Sequence, residues 1–329
     1  MFLSFFPKSC ARSTFLGLIT FSHLVWASDE QPKYSHNFSY ERSQYEEEYL
    51  IDDLALTFRP ISNSAGYELS IWPNWSAGFG LYKSFGEISD TLPPDPNSQN
   101  DRNSQVQAEH SIASQNLYLY RFFESWWASI SYIQGQDEQI ISFRSPNKVF
   151  QLEDDSRYQT YSIGAGKSFY KGQLVLGLHG YLDYQQSESD YRYVLGEGTV
   201  LNRVVSDTNT DENSVGFVGT IGINGGYDFY LSNFTISPNL AWSHTRTLDG
   251  EVNQFQQSQN RFVTTDRNTT IGEESESVRN SEANPISIWT LSTSVMWGNW
   301  WLRGSRQHTA GAPANEDVYG IAVGWRFEH

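Results

Sequence analysis

The sequence predicts an all-β fold: a transmembrane, antiparallel, up-and-down β-barrel of about 12 strands, with 10 or 14 left open. Three observations carry that expectation. In the closing run from Val318 to Phe327, the residues Tyr319, Ile321, Val323, Trp325 and Phe327 share one face of a strand, while Gly320, Ala322, Gly324 and Arg326 share the other. A large apolar face opposite a small one is the pattern of a strand whose outer side meets lipid. The chain is polar on average, only 38% hydrophobic, yet it carries 11 Trp, 19 Tyr and 20 Phe. Acidic disordered chains are poor in aromatics, whereas in a barrel only alternate residues face lipid and aromatics gather in two girdles. Finally, the strand-like segments are joined alternately by tight turns and by long polar stretches.

The first element is a leader. Lys8 and Arg12 precede a mostly apolar run from Phe15 to Val25, and Val25-Trp26-Ala27 ends on a small residue, the layout of a secretory signal peptide. Residues 1–27 are therefore read as the signal peptide and 28–329 as one barrel domain, with Ser28 the first mature residue. The single cysteine, Cys10, leaves with the leader, which excludes disulfides, Cys-ligated metals and Cys nucleophiles. No segment has the roughly 18 to 20 uninterrupted apolar residues of a spanning helix. Removing Lys8 and Arg12 from the 22 basic residues leaves 20 against 38 acidic ones, a formal charge of −18. Such an excess does not suit nucleic acid, whose phosphates need neutralising.

Twelve crossings follow from the alternation, near 33–44, 48–59, 74–88, 106–123, 125–143, 156–170, 172–188, 213–230, 233–249, 285–297, 299–309 and 317–327. Gly298-Asn299 reads as a two-residue hairpin turn. Lys171-Gly172 and Leu231-Ser232-Asn233 read as similar short joints. The long joints, Ser89 to Gln105, Ser145 to Ser156, Ser187 to Asn213 and Gly250 to Asn284, are rich in Asp, Glu, Asn, Gln and Ser. Short turns belong at the periplasmic rim and long loops outside, so Phe327 falls at the periplasmic interface. The segment from Arg59 to Asn74 is the open point: Gly66 to Trp72 is either a thirteenth strand or a periplasmic link. Lipid does not tolerate an open sheet edge, so the barrel must close.

With a leader, strands ending in aromatics and the closing Tyr-x-Ile-x-Val-x-Trp-x-Phe, the chain resembles bacterial outer-membrane β-barrels. In length and strand count it is most similar to the autotransporter-type β-domain. The resemblance implies residence in the outer membrane of a Gram-negative bacterium, contact with its lipid and lipopolysaccharide, and delivery by the barrel-assembly machinery. It also implies that Tyr319, Ile321, Val323, Trp325 and Phe327 form the assembly signal. Ala322 stands where that signal usually has Gly, and Glu328-His329 follow the aromatic that usually ends it. The first strand begins within several residues of Ser28, so no exported passenger is expected.

Function then rests on the lumen and the loops. The inward set includes Ser162, Gly164, Gly166, Ser168, His179, Tyr181, Asp183, Asn224, Asp228, Arg303 and Arg326. Of these, His179, Asp183, Asp228, Arg303 and Arg326 are the candidate lumen residues, because inward charges can select solutes at a constriction. The plainer reading is that they satisfy one another. A pore or surface protein is expected, with a non-conducting interaction barrel as the alternative. Replacing Leu176 by Arg is expected to disturb assembly, and the same change at inward Gly177 to cost less.

Neither catalysis nor a cofactor is expected. His179 and Asp183 lie about 13 Å apart along an extended strand at ~3.3 Å per residue, too far for a dyad. His244 and His308 sit better for chemistry at the outer rim, but neither lies in a hydrolase motif. The clusters Glu46-Glu47-Glu48, Glu153-Asp154-Asp155 and Glu273-Glu274 with Glu276 lack the Asp-x-Asp-x-Asp-Gly layout of a dedicated calcium loop. They read as solvated loop surface, with loose divalent-ion bridging to lipopolysaccharide as the alternative. Arg261, Arg267 and Arg279 could meet lipid phosphates by the same reasoning.

Overall fold

The structure, a computed structural model, describes residues 34–45, 47–51, 54–71, 74–92, 104–145, 148–199, 202–263, 268–280, 285–311 and 316–328. The acidic residue Glu46, most of the joint after Leu92 and residues 1–33, which include the expected signal peptide, lie outside the described residues, as does Arg267. Among the described residues sixteen strands are formed: β1 (Tyr34–Tyr45), β2 (Glu47–Ile51), β3 (Leu54–Phe58), β4 (Ile61–Ile71), β5 (Trp75–Leu92), β6 (Ser104–Phe123), β7 (Trp126–Arg144), β8 (Lys148–Lys171), β9 (Leu174–Thr199), β10 (Asn202–Tyr227), β11 (Phe229–Leu231), β12 (Phe234–Val263), β13 (Asn268–Asn280), β14 (Ile286–Trp297), β15 (Trp300–Ala310) and β16 (Glu316–Glu328). Each crossing strand pairs antiparallel with its neighbours, and β1 pairs with β16 while β10 pairs with β12, so the sheet has no open edge at the bilayer. Twelve strands close the barrel, β11 continuing β10.

The count agrees with the sequence, but one crossing was assigned to the wrong residues. Within the predicted crossing 48–59, β2 and β3 pair with each other in a separate two-stranded hairpin. The second crossing is β4, paired with β1 and β5. Its outward Ala65, Tyr67, Leu69 and Ile71 alternate with inward Ser64, Gly66, Glu68 and Ser70, which is neither a thirteenth strand nor a periplasmic link.

The rims differ in build. At the short-turn rim, expected from the sequence to be periplasmic, the first turn residue adopts a left-handed φ in four hairpins: Glu124 at 41°, Gly172 at 61°, Ser232 at 42° and Gly298 at 57°. Turn carbonyls at this rim also tie hairpins to the adjoining strand. Asn74 O accepts Phe122 N at 2.7 Å, Ser125 O accepts Ser168 N at 2.7 Å and Asn299 O accepts Arg326 N at 2.7 Å.

On the other side, much of what was read as loop is strand. Strand β8 has 24 residues, β9 and β10 have 26 each, and β12 has 30, against 11 to 13 for β1, β4, β14, β15 and β16. Since about 9 to 11 residues cross the hydrocarbon, one side of the barrel continues as a tall wall, to which β13 adds through β12.

On that wall the pattern of the strands reverses. Within the membrane section, Leu117, Ile130, Ile163 and Leu178 point outward and are exposed to lipid. That section ends at a row of directly paired outward rings, Tyr132, Tyr161, Tyr184 and Phe217, with centroids 5.0, 6.4 and 5.2 Å apart in turn. Six residues further along each strand the outward row is acidic: Glu138, Asp155, Asp190 and Asp211 stand opposite one another. At these higher levels the apolar residues face inward. Val106, Ala108, Ile141 and Phe150 form a buried cluster lined by Ile88, Phe143, Leu152 and Tyr193. Large outward apolar groups suit lipid below, and large inward ones suit water outside the wall above.

Candidate lumen site

Inward positions of the membrane section carry Gly, Ser and a few large side chains, and the two kinds are matched. Paired strands place Trp127 opposite Gly166 and Tyr181 opposite Gly164, so an indole from β7 and a phenol from β9 both come to rest over β8. A Cβ on Gly164 would lie 2.5 Å from ring carbons of Tyr181, and one on Gly166 would meet the Trp127 indole. Tyr118 lies over Gly78, Tyr158 over Gly135 and Trp301 over Gly324 in the same way. The glycines are needed for this close approach, and the rings are thereby laid along the wall.

Four of the five candidate lumen residues face the interior, in two separate groups, and the fifth marks the periplasmic end. Arg303 reaches over Ala322 to Glu41, with Nη2 2.8 Å from Oε2. Ala322 is small enough to lie beneath the pair, 2% exposed. Arg326 donates from Nε to Ser35 Oγ at 2.9 Å and lies within electrostatic reach of Glu68. Glu68 is buried, accepts from Ser76 Oγ and from Ser70 Oγ at 3.2 Å, and bonds the Tyr118 hydroxyl. On the opposite wall, Asp183 is 0% exposed, with Ser162 directly opposite. Neither of its carboxylate oxygens accepts a hydrogen bond of good geometry, and Nε2 of His179, over Gly222, is likewise unpaired. Asp228 sits in the break between β10 and β11, where it accepts from Ser237 Oγ at 2.6 Å. It belongs to the periplasmic end of the barrel and not to either group.

The sequence reading missed Glu41, Glu68, Tyr118, Tyr120, Trp127 and Trp301. Glu68 fell in the segment left open between a strand and a link. The signal for Tyr118, Trp127 and Trp301 was available, since each lies opposite a glycine once hairpin register is drawn, whereas Tyr120 lies opposite Ser76 and Ser129.

Of the residues expected to form an assembly signal, Tyr319, Ile321, Val323 and Trp325 are exposed on the outer face, and Phe327 is half-buried. Phe327 stacks on His36 at 4.4 Å, and Trp325 lies 6.4 Å from Phe38, so these rings span the seam between β16 and β1.

His244 and His308, the histidines expected nearest the outer rim, each meet one polar side chain. His244 Nδ1 lies 3.0 Å from Ser287 Oγ, and His308 Nδ1 lies 3.1 Å from Asp317 Oδ1. Among the described residues the first pair has no acid on the imidazole and the second has no nucleophile, so neither completes the base, orienter and nucleophile set of a hydrolase. No group of three or more His, Cys, Asp or Glu is placed to hold a metal among the described residues. High on the wall, Arg192 grips Asp207 with two bonds, 3.0 and 2.7 Å, which holds that carboxyl below its ordinary range.

No family model and no curated protein matches the chain. Among solved structures, it is similar to the translocator domain of the autotransporter NalP from Neisseria meningitidis. The TM-score is 0.57 at 13% identity, over 91% of this chain and 90% of that one. The fold is that of an autotransporter-type β-barrel. The chain is similar also to the β-domain of the Bordetella autotransporter BrkA, at TM-score 0.46 and 12% identity, covering 90% of this chain and 99% of that one. A third similar structure is the Pseudomonas putida toluene transporter TodX, at TM-score 0.44 and 7% identity over 90% of each chain.

Proposed function

We propose that the protein is a pore of the outer membrane of a Gram-negative bacterium, without catalytic activity or cofactor. The observation that supports this reading is the placement of the large inward side chains. Trp127, Tyr181, Tyr118 and Trp301 lie over glycines along the wall and so do not reach straight across the lumen. In this reading residues 1–27 are removed on export, the barrel-assembly machinery receives the last strand through Tyr319, Ile321, Val323, Trp325 and Phe327, and lipopolysaccharide surrounds the wall. The two inward groups, Arg303 with Arg326 and Asp183 with His179, set the selectivity. The test is single-channel conductance of the refolded mature protein in planar bilayers. Discrete steps are expected, with ion selectivity that changes in Asp183→Asn and Arg303→Gln. Silence from protein shown separately to be folded would remove the pore. The second reading, a non-conducting interaction barrel, is favoured by the wall itself, whose outward rungs above the ring row are mostly amide and carboxylate, with Arg157 and Arg192 among them.

A further inference from the structure

The two walls of the lumen differ in chemistry. Among the described residues, the inward cations of the membrane section are Arg303 on β15 and Arg326 on β16, each occupied as described above. The wall from β6 to β9 carries rings and a carboxylate. The Trp127 and Tyr181 rings meet over β8 with centroids 5.8 Å apart and planes inclined by 42°. Tyr120 stands against Trp127 at 5.5 Å and 60°, its hydroxyl bonded to that of Tyr181. His179 adds a fourth ring 5.7 Å from Tyr181. Asp183 follows Tyr181 on the same inward face, with no ion-pair partner among the described residues.

Inclined electron-rich faces beside an uncompensated carboxylate attract a positive charge that has little water to lose. A strongly hydrated metal ion would have to surrender its shell to ring faces, whereas an alkylammonium group carries its charge on an apolar surface. The chain's formal charge of −16 further concentrates cations near the protein. We infer that the β6–β9 wall of the lumen is a binding station for small organic cations, with Trp127, Tyr181 and Tyr120 as the ring faces and Asp183 as the charge behind them. This rests on the pore reading and names the class of solute.

The probe is tetramethylammonium chloride, added to the refolded mature protein in planar bilayers under KCl. The expected result is a concentration-dependent loss of potassium conductance. The half-blocking concentration rises about tenfold when Trp127→Leu and Tyr181→Leu are combined, and is retained when both become Phe. Block of equal strength in the Leu variant, or no block at all, overturns the inference. Saturation-transfer NMR of the same ion with the protein in micelles reads binding without conduction. A barrel silent in bilayers but giving a transfer signal that the Leu variant loses would end the pore reading and leave the cation site standing. Absence of that signal in the native protein would end the site.

Discussion

Individual side chains in this barrel are specified by which solvent each face meets, and that is where substitutions separate most clearly. Leu178 points into lipid, 51% exposed, near the middle of its crossing. Its replacement by Arg should cost roughly 2 to 4 kcal/mol of folding free energy, as expected for a cation at the bilayer midplane. Equilibrium unfolding in lipid vesicles reads the loss. Gly177, next to it, was expected from sequence to accept Arg more cheaply, but Asn224 is laid over that glycine, and a Cβ there would collide with its Oδ1. Ser168, inward, half-buried and opposite Gly177, is the better inward position for that comparison. The error is instructive in physical terms. Periodicity tells which face a residue lies on, but the use of that face by the residue opposite on the next strand needs the register as well. The same reason hid Trp127 and Tyr181, whose partners Gly166 and Gly164 are distant in sequence until β7, β8 and β9 are aligned.

At the scale of the element, turns and strand ends follow local rules, and most of them were legible. Gly298-Asn299 and Lys171-Gly172 announced their hairpins, with Gly172 and Gly298 supplying the positive φ. Glu124 and Ser232 hold the same backbone conformation without that freedom, at φ of 41° and 42°. A residue with a Cβ loses roughly 1 to 2 kcal/mol there. Glu124→Gly and Ser232→Gly should therefore raise the unfolding midpoint, each by up to about 1 kcal/mol, after the added chain entropy of glycine is set against the relief. Unfolding in urea checks this, and a fall in stability would show that Glu124 and Ser232 are held by contacts worth more than the strain. The misplaced second crossing has a different cause. Both the 48–59 stretch and β4 alternate, and both do form strands, but closing pairs with β1 and β5 were available to only one of them. Strand formation is a local property, and membership of the barrel is a pairwise one.

For the whole molecule, charge and height are unevenly distributed. The wall is acidic on its outer face, so its cohesion depends on pH. Asp207, held below the ordinary carboxylate range by Arg192, stabilises the β9–β10 pairing at any pH above that ordinary value. The contribution fades as pH falls through the depressed one, below about 4. Because the pair is partly exposed, it should account for no more than about 1 kcal/mol. Amide protection factors across 190–199 and 202–209, taken relative to the slower intrinsic exchange of an unfolded chain at low pH, are expected to fall between pH 5 and pH 3, and Asp207→Asn to lower them already at neutral pH. Unchanged exchange in that variant would show the fork to be ornamental. The closed sheet and its strand number were readable from sequence, because both follow from alternation. The wall was not, because its residues are polar on average and read as loop. Only the shift of the apolar set from odd to even positions along a strand, as from Leu117 to Val106 and Ala108 in β6, marks the change. That shift has a consequence for how the molecule sits. A strand that is greasy outside below the tyrosine row and greasy inside above it has a single vertical address, like a ruler with one mark. In a thicker or thinner bilayer, the lipids beside the β7–β10 sector would have to stretch or compress to meet that mark, because the protein cannot slide to meet them.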